Sequence, residues 1–220
     1  MGMIFGMVAV TPEQIAKLCT SPALANDLMI VAREDGSEAQ SSEWLSRLPP
    51  ERKQQAEERL RQMQSSPEFI AAREEVEQAR RRISDFGKIE PELDLDKSWH
   101  ILHYIFTGDI GPVGAPGDLL MTGDDMGGDT TGYGPPRLHD PEATRRFAEF
   151  LQRLDLETLQ DRANREAMTA AGVYALPMGP GAEAEFETGL RRVISSYFPL
   201  LLDYVVEAAR KGNGLLMWLT

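Results

Sequence analysis

The chain has 220 residues, enough for one large domain with a sizeable core, and its 42% hydrophobic and 26% charged content is ordinary for a soluble globular protein. Its 35 acidic and 23 basic side chains leave a net charge of −12, a field that repels phosphate backbones and anionic lipid, so neither nucleic acid nor a membrane is an expected partner. The single Cys19 excludes an internal disulfide and a cysteine-built zinc site, and it reads as a small buried hydrophobe on an N-terminal helix.

The apolar opening Met1–Val10 follows no basic segment and runs straight into a helix-start signal. It reads as a buried strand rather than a secretory signal. No run approaches the ~18 apolar residues of a spanning helix, and a cytoplasmic location is expected. Thr11-Pro12-Glu13-Gln14 is a capping-box pattern with proline at the first helical position. Ser21-Pro22 repeats that logic for a second helix through about Val31.

From Arg33 to Glu90 the composition turns rich in Glu, Arg and Gln. Pro49-Pro50 opens one helix and Ser66-Pro67 another. Phe69, Ala72, Val76, Ala79, Ile83 and Phe86 form a heptad seam on the second, and Ala56, Leu60 and Met63 a short matching seam on the first. This segment reads as an inserted helical hairpin closed on itself, or as an arm through which the chain forms a homo-oligomer or meets a partner. Arg80-Arg81-Arg82 follows Glu74, Glu75 and Glu77, which favours an ion-paired solvated face over a phosphate grip.

Asp94 to Gly108 holds two of the three histidines and reads as one amphipathic helix. Trp99, Leu102, Ile105 and Phe106 make its apolar face, flanked by a stripe of Asp96, His100, His103 and Thr107. Asp96 fits the helix N-cap or a favourable first-turn charge. The spacing also resembles a facial metal set, but structural or ligand-contacting roles are favoured, and no metal or cofactor is expected. Asp118–Gly123 reads as a short strand.

The loop 124–137 is rich in glycine and aspartate, and loops of that length inside a compact domain are usually functional or mobile. Asp124, Asp125 and Asp129 lack calcium-loop spacing, and the glycines lack the setting of a phosphate or dinucleotide loop. Tyr133, between Gly132 and Gly134, has freedom to present its ring, and Arg137 supplies a planar anion clamp. Asp140-Pro141 starts another helix, and a shorter one follows around Leu156–Ala163. Glu183–Arg210 is a periodic helix broken or kinked at Pro199, closed by Lys211-Gly212. Gly214–Leu219 is a continuous apolar run, the mark of a strand covered on both faces. The economical architecture is an α/β chain, α+β-like: a small mixed sheet with N- and C-terminal strands, flanked by helices.

The run Leu93–His103 ending in Thr107-Gly108, and Gly132-Tyr133-Gly134-Pro135 with Arg137, resemble the YfbM-like family of bacterial domains of unknown function. The opening Met1-Gly2-Met3 and the strand after Gly212 fit it too. The resemblance covers most of the chain, with 33–90 largely outside it, and Pro136 departs from the small residue expected there. It implies an α/β fold and a bacterial cytoplasmic protein, and it carries over no catalytic residue. No serine or cysteine sits in a nucleophile elbow. The chain therefore reads as a non-enzymatic binding protein for a protein partner met through the acidic surface. The alternative is a small-ligand-binding protein or an enzyme whose site is formed by the 94–108 helix and the 123–137 loop, where His100 and His103 share a cleft with Tyr133 and Arg137.

Overall fold

The computed structural model describes residues 2–127, 133–176 and 183–220, except for the side chains of 36–44, 47, 183–185 and 187. The two apolar terminal runs pair with each other. β1 (Phe5–Val10) lies antiparallel to β5 (Gly214–Leu219) in the register Phe5↔Leu219 to Val10↔Gly214. Short strands flank this pair: β2 (Leu93–Asp96) on β1, then β4 (Arg137–His139) on β5 and β3 (Asp124–Asp125) on β4. Every pairing is antiparallel, in the order β2-β1-β5-β4-β3. Every residue of β1 is buried, as are the first five of β5, because helices cover both faces.

On one face Phe5, Met7, Leu215 and Met217 pack under α5 (Ser98–Thr107), α6 (Pro141–Leu151) and α9 (Glu183–Arg210). Two short helices, α7 (Leu156–Asp161) and α8 (Arg165–Ala171), add Leu159 and Met168 to this cluster. On the other face Val8, Val10, Leu138, Leu216 and Trp218 meet α1 (Pro12–Thr20), α2 (Leu24–Arg47) and α4 (Pro67–Arg82). α3 (Pro50–Gln64) lies outside both cores and buries none of its side chains.

The seam 69–86 does not close only on the preceding helix. Val76, Ala79, Ile83 and Phe86 are buried, the last three in one cluster with Ala25, Leu28 and Val31 of α2 and with Trp218 of the sheet. Ala72 and Met63 are exposed. Arg80 and Arg82 find ion partners on α2. Arg82 Nε lies 2.9 Å from both oxygens of the buried Asp27, and Arg80 pairs with Asp35.

Local signals decide most helix starts. Thr11 and Gln14 form the expected capping box, and Gln14 Nε2 also donates to Phe86 O at 2.9 Å and Lys88 O at 3.1 Å. Asp140 caps α6 by accepting from Ala143 N–H at 2.7 Å. Ser21 instead terminates α1, and α2 starts after Ala23 without a side-chain cap and runs to Arg47, well past Val31. Helix α9 passes through Pro199 unbroken; that residue is on the exposed side, where water can take the carbonyl left without a donor. Cys19 is exposed, so it is not the core hydrophobe expected. Gly6 is required by close approach, since a Cβ there would stand 1.8 Å from Glu92 Oε1 and 2.7 Å from the Trp218 indole.

Candidate functional site

The segment 94–108 is a strand followed by a helix, not one helix. Leu95 is fully buried between exposed Asp94 and Asp96, the period-two pattern of a strand paired to β1. Asp96 then takes φ 46°, with its N–H donating to Asp94 Oδ1 at 2.6 Å, and the turn it makes prevents the helical reading. The N-cap of α5 is Lys97. Asp96 is therefore neither helix cap nor part of a carboxylate–imidazole row. Among the described residues no group of three or more His, Cys, Asp or Glu side chains is gathered to hold a metal ion.

His100 and His103 lie inside, at 8% and 0% exposure. Phe5, Trp99, His100 and His103 form a row of stacked rings, with successive centroids 6.0, 4.9 and 6.4 Å apart. His100 Nδ1 accepts from Tyr174 N–H at 2.8 Å, which leaves the proton on Nε2, and that nitrogen donates to Ile110 O at 3.1 Å. His103 Nε2 faces Gly111 O at 3.0 Å, and His139 Nε2 faces Leu119 O at 3.0 Å. A carbonyl only accepts, so both nitrogens donate. All three histidines of the chain thus hold carbonyls of one connection, residues 108–122.

Other groups fasten the same connection. Arg137 Nη1 donates to Met121 O, and Asp118 Oδ2 accepts from Gly114 N–H at 2.8 Å. Asp118–Gly123 is turn rather than strand, except that Leu119 and Leu120 are buried in the core, which gave the stretch its strand-like look. Gly123, at φ 130°, brings this backbone against β4, where a Cβ would stand 3.2 Å from His139 Nε2. His103 Nδ1 and Asp118 Oδ1 are buried without a hydrogen-bond partner.

Burial pulls His103 and His139 below the usual histidine range, against the opposing pull of their carbonyl partners. Unfolded, both titrate near about 6.5, so the stability they contribute is whole above that pH and is lost as pH falls toward their lower folded values. Glu92 acts oppositely. Its burial raises the carboxyl although Arg33 pulls it down, so its contribution is present below 4.5, the unperturbed value, and is lost as pH rises through the folded one. The thermal midpoint is expected to drop between about pH 6.5 and 5, less in His139→Gln and more in Glu92→Gln. Thermal unfolding of the three proteins across that range checks the signs.

Tyr133 and Arg137 do come together. With Phe5, Leu120, Pro135 and Met217 they line a small pocket of about 20 Å³, room for about one water. Tyr133 is 46% exposed and Arg137 stands in β4 opposite Met217. The imidazoles pack on the same sheet face but not in the pocket wall, and Phe5, which stacks on Trp99, stands between the two groups. Asp124 and Asp125 form β3 and are exposed, while Asp129 and Gly132 lie outside the described residues. His139, Asp118 and Phe5 were not singled out in the sequence. The alternation Arg137-Leu138-His139 beside a capping Asp140 was the signal that could have found His139.

A three-layered α+β domain with an antiparallel sheet, and with imidazoles turned to structural use, is the class these features define. A family model, a domain of unknown function (DUF1877), matches residues 1–218, and the chain belongs to that family. Among solved structures it is similar to a protein of unknown function, YfbM from Escherichia coli, with TM-score 0.56 and 15% identity over 99% of both chains. That likeness shows the fold. No curated protein matches.

Proposed function

We propose that this chain is a bacterial cytoplasmic binding protein that works without catalysis and engages a basic protein partner through its acidic surface. The observation that carries the reading is the commitment of every imidazole to a backbone carbonyl, which leaves no histidine poised for proton transfer at the open pocket. Net charge agrees, because a −12 molecule steers cationic partners toward itself. Affinity capture from the native host tests it. The expected partner carries a basic surface and is released as ionic strength rises from about 0.01 M to about 1 M, where the screening length shrinks to about 3 Å. A captured partner indifferent to salt, or none, overturns this reading.

A second reading is favoured by the pocket itself. An exposed tyrosine ring beside a guanidinium suits a small anionic group held at the mouth of this pocket rather than enclosed in it. Thermal-shift screening of anionic metabolites tests it, since a ligand at 100 times its dissociation constant stabilises by about 2.7 kcal/mol. A shift that disappears in Tyr133→Ala supports the pocket. A shift that survives the substitution places the ligand elsewhere.

A further inference from the structure

His100 holds backbone on both sides of its ring. Its Nδ1 accepts from the Tyr174 N–H at 2.8 Å, and its Nε2 donates to Ile110 O at 3.1 Å. His103, on the same helix, bonds through Nε2, while its Nδ1 is buried without a hydrogen-bond partner among the described residues. Tyr174 is a junction in turn. It follows α8, its N–H is on His100, and its hydroxyl accepts from the Met3 N–H at 2.9 Å, just ahead of β1. One imidazole nitrogen thus ties the end of α8 and the lead-in of β1 to helix α5.

We infer that His100 is a proton-operated latch: a proton on Nδ1 opens the tie to Tyr174 and leaves the tie to Ile110 closed. Nε2 already carries a hydrogen, so a second proton goes to Nδ1. That nitrogen then has no lone pair, and it meets the Tyr174 N–H donor to donor. The Nε2–H is untouched and still donates to Ile110 O. The surroundings suit a charged ring at this position. Trp99 stacks on His100 with centroids 4.9 Å apart and planes at 26°, so an aromatic face is offered to the cation. Asp109 and Asp118, in the connection that both rings hold, favour a positive charge on the pair. The His103 ring, its centroid 6.4 Å away, opposes a second charge, so the pair takes one proton. Lys97 and the Tyr174 hydroxyl stand together at Gly2, at the far end of that side chain from the amide. The proton therefore acts on a backbone junction and not on a ligand site.

This inference rests on neither binding reading, because its measurement needs no ligand or partner. Nuclear magnetic resonance of the full chain at stepped pH reads the His100 ring nitrogens and the amide exchange of Tyr174 in one series. Corrected for the intrinsic pH dependence of exchange, the protection of the Tyr174 amide is expected to fall about tenfold or more as Nδ1 gains its proton, the factor carried by about one hydrogen bond. His100→Asn sets an amide oxygen near the position of Nδ1, an acceptor that takes no proton, so Tyr174 is expected to stay protected through the same range. His100→Gln keeps an N–H near the position of Nε2 and offers Tyr174 no acceptor, so that amide is expected to be unprotected at every pH. A Tyr174 amide whose protection holds while His100 takes its proton overturns the inference. So does a His100 that stays neutral until the whole chain unfolds, or an equal loss of protection in His100→Asn. The titration of the unsubstituted chain decides by itself where a substitution prevents folding.

Discussion

Deleting residues 33–90 and joining Ala32 to Pro91 is expected to give a chain without cooperative unfolding. The deletion takes Ala79, Ile83 and Phe86 from the cluster that covers the second face of the sheet, and it uncovers Val8, Leu216 and Trp218. Loss of one such side chain costs about 2–5 kcal/mol, and a domain's whole stability is about 5–15 kcal/mol. The deletion also removes Arg82 and leaves Asp27, 6% exposed, as a carboxylate without its cation. Excising residues 37–73 with a short Gly-Ser bridge is expected to behave differently. It keeps Asp27, Arg82 and the cluster of Ala79, Ile83 and Phe86 and removes none of the described core residues. Urea unfolding of both variants separates the outcomes: a single cooperative transition for the shorter deletion and none for the longer. Two equally cooperative transitions would show that α4 is dispensable to the core.

The second large effect is expected at His139. Its Nε2–H holds Leu119 O inside the protein, next to the Gly123 backbone. His139→Ala leaves that carbonyl buried without a donor, which costs about 1–3 kcal/mol, and opens a cavity where the ring stood. His139→Gln keeps an N–H at the position of Nε2 and is expected to recover most of the loss. Chemical denaturation measures both. Equal destabilisation by alanine and glutamine would mean that ring volume, not the hydrogen bond, matters at this position. The same comparison at His103 is expected to run in parallel, because Gly111 O is its partner in the same connection.

Parts of this fold were legible because their signals are local. The terminal strands announce themselves by unbroken apolar runs, and Thr11 with Gln14, Asp140 and Gly212 mark helix ends through groups within four residues of each other. β2 was not legible, because a four-residue strand with Leu95 as its one fully buried residue merges into the period of the helix that follows. Nor was the true length of α2, whose sequence turns polar beyond Ala32 while the helix runs on to Arg47. The apolar pair Leu119-Leu120 imitated a strand although its backbone is held by side chains. The role of the histidines was hidden for a related reason. Their partners are carbonyls 8, 10 and 20 residues away, and a carbonyl has no sequence signature. Tyr133 and Arg137 were found together because glycine beside an aromatic residue and a cation is a pattern within one loop, and the pocket they line needed only β4 to place them.

The central claim is that the imidazoles are fasteners of residues 108–122 and not free acid–base groups. Long-range ¹H–¹⁵N correlation spectra of the three histidines, recorded across a pH titration, test it most directly. Each ring is expected as a single Nε2–H tautomer, with His103 and His139 still neutral below the pH at which a free histidine protonates. Rings that average between tautomers, with His103 and His139 titrating near about 6.5, would contradict it and return them to the list of groups available for chemistry.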